Sequence, residues 1–191
     1  MKMKKQILSA AAPVLVFTTL SFTTIKKTVD VEASNVEWTG KKVTGAHTGT
    51  IDLKEGFLNL TEEGKLVGGE FVMDMSTIIV TDLSGEYKTK LEDHLNSGDF
   101  FGVENYATSK LVITEASPKS GNIFTVTGDL TIKGKTAPVT FDMKVEENSA
   151  SAKVIIDRTK YGIRYGSGSF FDNLGDKTIS DNFELDVNLK F

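Results

Sequence analysis

Apolar residues recur at every second position through most of this chain, and no other feature constrains its fold as strongly. Phe124, Val126, Leu130 and Ile132 share one parity, with Thr125, Thr127, Asp129, Thr131 and Lys133 on the other. Val139, Phe141, Met143 and Val145 alternate with Thr140, Asp142, Lys144 and Glu146. Ile179, Phe183, Leu185, Val187, Leu189 and Phe191 alternate with Ser180, Asn182, Glu184, Asp186, Asn188 and Lys190. Successive side chains of a strand point to opposite faces, so each segment has one apolar and one solvated face. Antiparallel strands covered on one side carry this signature.

The remaining strands are less regular. Val29 and Val31 differ in parity from Val36 and Trp38, which predicts a bulge near Ser34-Asn35 within one strand. Ile51 and Leu53 are read as one strand and Phe57 to Leu60 as the next, with Lys54-Glu55-Gly56 turning between them. Phe71, Met73, Met75 and Ile79 form another inward row, Leu111 and Ile113 lie on a strand from Tyr106 to Thr114, and Ala152, Val154 and Ile156 make the penultimate strand. Leu83, Tyr87, Leu91 and Leu95 recur every four residues instead, so one helix is expected from about Gly85 to Asn96, stopped by Ser97-Gly98. The expectation is an all-β domain of about eight antiparallel strands with one or more short helices. Such strands bury their apolar faces by closing a barrel or by stacking two sheets. The alternation alone does not separate barrel from sandwich.

Composition removes much chemistry. The chain has 191 residues and no cysteine, so it has neither disulfides nor thiolate metal sites nor a cysteine nucleophile. His47 and His94 are its only histidines, too few for most zinc or iron centres, and no metal site is expected. A formal charge of −4 disfavours tracking a phosphate backbone, so no nucleic-acid partner is expected. The start, MKMKK, followed by the apolar, small and hydroxylated run Ile7 to Phe22, reads as a secretory signal over residues 1–23 with an indistinct cleavage point. The run is short for a bilayer span, so the mature form is expected to have none, with an uncleaved N-terminal anchor as the alternative. The domain itself is placed at residues 29–191.

Four blocks resemble the YceI-like family of exported lipid-binding proteins: WTGKKVTGAHTGTI (Trp38 to Ile51), EDHLNSGDFF (Glu92 to Phe101) followed by Tyr106, VTGDLTIKGKTAPVTF (Val126 to Phe141) and IDRTKYGI (Ile156 to Ile163). They stand in the family's order and span the whole chain after the leader. The resemblance implies an eight-stranded, lipocalin-like antiparallel barrel, periplasmic or secreted, whose apolar lumen holds a polyisoprenoid or a fatty acid or amide. It implies no catalysis and no cofactor, and it admits a homodimer. Two positions depart from the family. A lysine, Lys42, stands where relatives often carry a histidine, and Ala107 replaces a proline after the tyrosine.

The candidate ligand-binding residues are the inward row: Phe71, Met73, Phe124, Val126, Leu130, Ile132, Val139, Phe141, Met143, Phe183, Leu185 and Val187. For any one of them, ordinary packing in a dry core is the simpler account. Arg158 joins the set because it continues the parity of Ile156; turned inward, its guanidinium needs a carboxylate such as Asp181 or a polar ligand head. Turned outward at a strand end, it needs nothing. Asp93, His94 and Asp99 read as helix and turn caps, because no nucleophile or metal constellation accompanies them. Phe100 and Phe101 are expected to plug the helix end onto the sheet. Tyr161 and Tyr165 either flank an entrance or sit in surface turns, and Lys41 and Lys42 read as a solvated pair. A structural or stress-response module acting through its outer surface is the rival function. A lipid- or quinone-processing enzyme depending on His94 is a third.

Overall fold

A computed structural model describes residues 23–191. The expected leader lies outside the described residues except for Thr23. The strands are β1 (Thr24–Thr28), β2 (Asn35–Lys42), β3 (Gly45–Thr50), β4 (Leu53–Thr61), β5 (Leu66–Asp74), β6 (Ile79–Val80), β7 (Thr108–Ser120), β8 (Ile123–Ile132), β9 (Lys135–Val145), β10 (Ser149–Asp157) and β11 (Ile179–Lys190). One α-helix, α1 (Gly85–Asn96), interrupts them, and short 3-10 turns lie at Met75–Thr77, Arg158–Tyr161 and Gly175–Lys177. Among the described residues no helix is long and apolar enough to cross a membrane.

All strands belong to one sheet in the order β1-β4-β5-β7-β8-β9-β10-β11-β2-β3-β6, with antiparallel pairing throughout. Eleven strands replace the expected eight, and the surplus has local causes. β1 and β6 are short additions on the outer edges of β4 and β3. β3 and β4 are cut apart by the corner Ile51–Asp52, yet they lie far apart in the sheet order. A join of two residues between such distant strands forces the sheet to curl on itself. Trp38 pairs with Gly49 near the end of β3, just before this corner, and the glycine leaves it room: a Cβ there would stand 1.8 Å from the Ile79 carbonyl and 2.4 Å from the indole.

Three local expectations are corrected. Val29 and Val31 are not in a strand; Asp30 closes a turn there, its carboxylate accepting from the Ala33 N–H (3.2 Å) and its carbonyl from the Ser34 hydroxyl (2.6 Å). Lys54-Glu55-Gly56 is no turn but an irregularity inside β4, where the register against β5 shifts. Ile79 faces solvent because the 3-10 turn at Met75–Thr77 advances the phase, turning Ile78 and Val80 inward.

Where periodicity was clean, packing follows it. Val139, Phe141, Met143 and Val145 of β9 and Ala150, Ala152, Val154 and Ile156 of β10 are all buried. β8 and β9 meet through Lys133 (φ 51°) and Gly134 (φ 69°), a two-residue turn whose positive φ values suit the twist of a hairpin. The helix has the expected bounds, and Ser97 ends it by donating its N–H to Asp93 and His94. Only its last turn packs inward: Leu95 is buried, Leu83 and Leu91 are half-buried, and Tyr87 is 76% exposed, against the expected four-residue stripe. The Glu92 carboxylate accepts the Val80 N–H at 2.8 Å and fastens the helix to β6.

Candidate functional site

The inward rows do not close on one another. They surround a cavity of about 180 Å³, within about 1340 Å³ of unfilled space once the open mouth is counted. Its wall is apolar apart from Lys41, Ser109, Arg158, Ser180 and Asn182, and no aspartate or glutamate lines it. Phe183, Leu185 and Val187 of β11 and Trp38 of β2 are only half-buried although they point inward, because they face this space.

Of the residues singled out from sequence, Phe71, Met73, Leu130, Ile132, Val139, Phe141, Met143, Arg158, Phe183, Leu185 and Val187 line the cavity. Phe124 and Val126 do not. They are fully buried near the start of β8, opposite Pro118 and Ala116, and fill the sheet beyond the cavity. Other lining residues were within reach of the parity rule: Trp38, Met75, Ala152, Val154 and Ile156 continue inward rows already visible in the sequence. Leu95, Phe100, Phe101 and Ile163 come from the helix and the turns, where a period of two carries no information.

The helix end covers one side of the space. Phe100 and Phe101 fold back beneath it, the Phe101 N–H donating to the Leu95 carbonyl at 3.1 Å. Phe101 meets Phe183 edge-on with ring centroids 6.3 Å apart. His94 is held edge-on between Phe100 (5.1 Å) and Tyr165 (4.4 Å), as a member of an aromatic cluster. Among the described residues no three histidine, aspartate or glutamate side chains gather to hold a metal.

Arg158 lies inward, 3% exposed, at the start of a 3-10 turn and not on a strand. Its Nε donates to the Ser180 carbonyl (2.8 Å), one terminal nitrogen to the Ile163 carbonyl (2.9 Å) and the other to the Ile179 carbonyl (3.1 Å). The Asp181 carboxylate stands 3.6 Å away, and the Phe100 ring lies 5.7 Å from the guanidinium carbon. Burial draws the pKa of Arg158 down, and the charges of Asp181 and Asp157 oppose that. Asp181 is in the mirror position: burial raises its pKa, but the Ser167 and Ser169 hydroxyls and Arg158 bring it below the ordinary value.

Tyr161 neither flanks an entrance nor sits in a surface turn; it is 1% exposed. Burial, with the charge of Asp157 adding to it, pushes its pKa up to about 12. A phenol that keeps its proton longer when folded stabilises the fold below pH 10, and that stability is lost as pH rises through about 12. An absorbance titration at alkaline pH should therefore show a tyrosine ionising near 12 that is missing in Tyr161→Phe. A titration that Tyr161→Phe leaves unchanged would contradict the burial.

The family model for the YceI-like domain matches residues 28–191, nearly the whole described chain. The chain belongs to the YceI-like domain family. A UPF0312 protein from Staphylococcus epidermidis is 28% identical over 127 residues, 61% of this chain and 69% of that protein. The crystal structure of BcnA from Burkholderia cenocepacia superposes with a TM-score of 0.69 at 23% identity, covering 84% of this chain and 98% of that one. A polyisoprenoid binding domain from Saccharophagus degradans, implicated in plant cell wall breakdown, follows at a TM-score of 0.56 and 12% identity, over 88% of this chain and 97% of that domain. These likenesses show that the curled antiparallel sheet with helix α1 is a YceI-like fold.

Proposed function

We propose that this YceI-like domain is exported and holds one apolar lipid, an isoprenoid or a fatty acyl chain, in the lumen of its curled sheet in the manner of a lipocalin, without covalent chemistry. The observation that carries the reading is the cavity wall, predominantly apolar and free of carboxylates. Burial yields about 0.8 kcal/mol per methylene, so a dozen carbons supply roughly 10 kcal/mol before ordering costs. An engineered apolar cavity of about 150 Å³ admits a benzene-sized guest. The resting space therefore takes a short stretch of chain, and a longer one requires the wall to give. Met73, Met75 and Met143 are suited to this, being unbranched and adaptable side chains. The histidine lost at Lys42 matters little to such a site, because Lys42 is exposed and does not line the cavity. The family and the polyisoprenoid-binding neighbour support a binding role over catalysis.

Native mass spectrometry of protein purified from its own host is expected to show an adduct of a few hundred daltons that denaturation releases. Protein that arrives bare, and stays bare after incubation with farnesol and with oleate, would overturn the proposal.

A further inference from the structure

The wall of the cavity has a fault where β2 meets β11. β2 and β11 pair in register from Asn35 opposite Asn188 to Gly40 opposite Phe183, and the next pair is Lys42 opposite Ile179. Three residues of β11, Ser180, Asp181 and Asn182, therefore stand against the single residue Lys41, and an insertion of that size parts the strands more than an ordinary bulge. Lys41 and Asn182, on either side of the fault, are both exposed and both line the cavity.

The fault is built and fastened. Inside, Arg158 grips the carbonyls of Ile179 and Ser180. Outside, Ser169 donates its hydroxyl to Asp181 at 2.5 Å, and the Ile179 N–H bonds to the Gly166 carbonyl at 2.8 Å. Ser180 and Asp181 are thus tied to Arg158 and to the segment that follows it. Gly40 keeps the gap clear from the other side. It lies on the inward parity of Val36 and Trp38 and lines the cavity, but a Cβ built there meets nothing within 4 Å, and its φ is not positive. Other sheet glycines on inward positions are crowded, and a Cβ at Gly69 or Gly128 would fall 2.7 or 2.8 Å from a backbone carbonyl. Neither packing nor backbone geometry calls for glycine at position 40; open space is what it leaves.

We infer that the apolar guest enters and leaves sideways, between β2 and β11, through the opening bordered by Gly40 and Asn182, while the helix side stays shut. The inference rests on the lipid-binding reading and adds its route. Stopped-flow fluorescence with cis-parinaric acid, an 18-carbon fluorescent fatty acid, tests it. Gly40→Trp is expected to slow uptake and release together, each at least tenfold. Should that variant fail to fold, Asn182→Cys gives a second block: the chain has no cysteine of its own, so a bulky maleimide can be attached after purification. The same label on Tyr87→Cys, on the outer face of the helix, should leave both rates unchanged. Blocked forms that exchange at the rate of the unmodified protein would overturn the route, as would slowing by the helix label. Unmodified protein that takes up no probe would instead remove the lipid-binding reading beneath it.

Discussion

Ala152→Phe is expected to lower affinity for an apolar guest by about two orders of magnitude while costing the fold less than about 1 kcal/mol. Ala152 is a small residue in the wall of the cavity, between Ala150 and Val154 on the inward face of β10. A phenyl ring there occupies the space that about four methylenes of a guest would take, forfeiting ~3 kcal/mol of burial. In a filled core the same enlargement would force neighbours off their rotamers and cost about 1–3 kcal/mol of stability. Parinaric acid titration and urea unfolding of one variant thus separate the two accounts of the inward row. A destabilised variant that binds no worse would mean the space is not where the guest sits.

Arg158→Met should be the most damaging single change to the fold, by about 3–5 kcal/mol. The methionine fills similar room but leaves the carbonyls of Ile163, Ile179 and Ser180 without their donor and Asp181 without its nearest cation. Arg158→Lys should recover little, because one ammonium cannot span three carbonyls as the planar fork does. Urea midpoints measure both. The loss should also depend on pH. The depressed Asp181 carboxyl contributes stability above its unfolded pKa, and that contribution fades in the wild type as pH falls through the lower, folded value. A variant within 1 kcal/mol of wild type would show that water replaces the guanidinium at these carbonyls.

The sheet was legible in the sequence where one face is buried and the other is open or half-open to solvent. β8, β9 and β10 have that environment, and their inward residues could be named from parity alone. The helix bounds were legible too, because Ser97-Gly98 stops the pattern as well as the periodicity starts it. What could not be read is how the sheet bends. The corner at Ile51–Asp52, the irregularity at Lys54–Gly56 and the turn after Val29 change the strand count without changing the apolar pattern, since bends depend on pairing partners far away in the chain. The cavity was hidden for a related reason. Val126 and Val139 both alternate and are both buried, yet only Val139 borders the cavity. At Arg158 parity and chemistry disagreed. The structure resolves the conflict with main-chain carbonyls, and a sequence does not display those as partners.

The position of the last strand has a consequence for biosynthesis. Among the described strands β11 is the last in sequence but lies in the interior of the strand order, between β10 and β2. Until the ribosome has released Ile179–Lys190, both neighbours present bare edges, which are templates for sticking to other chains. Any nascent or truncated chain ending before Ile179 would carry the same liability, so the wall becomes safe only once β11 has joined its two neighbours.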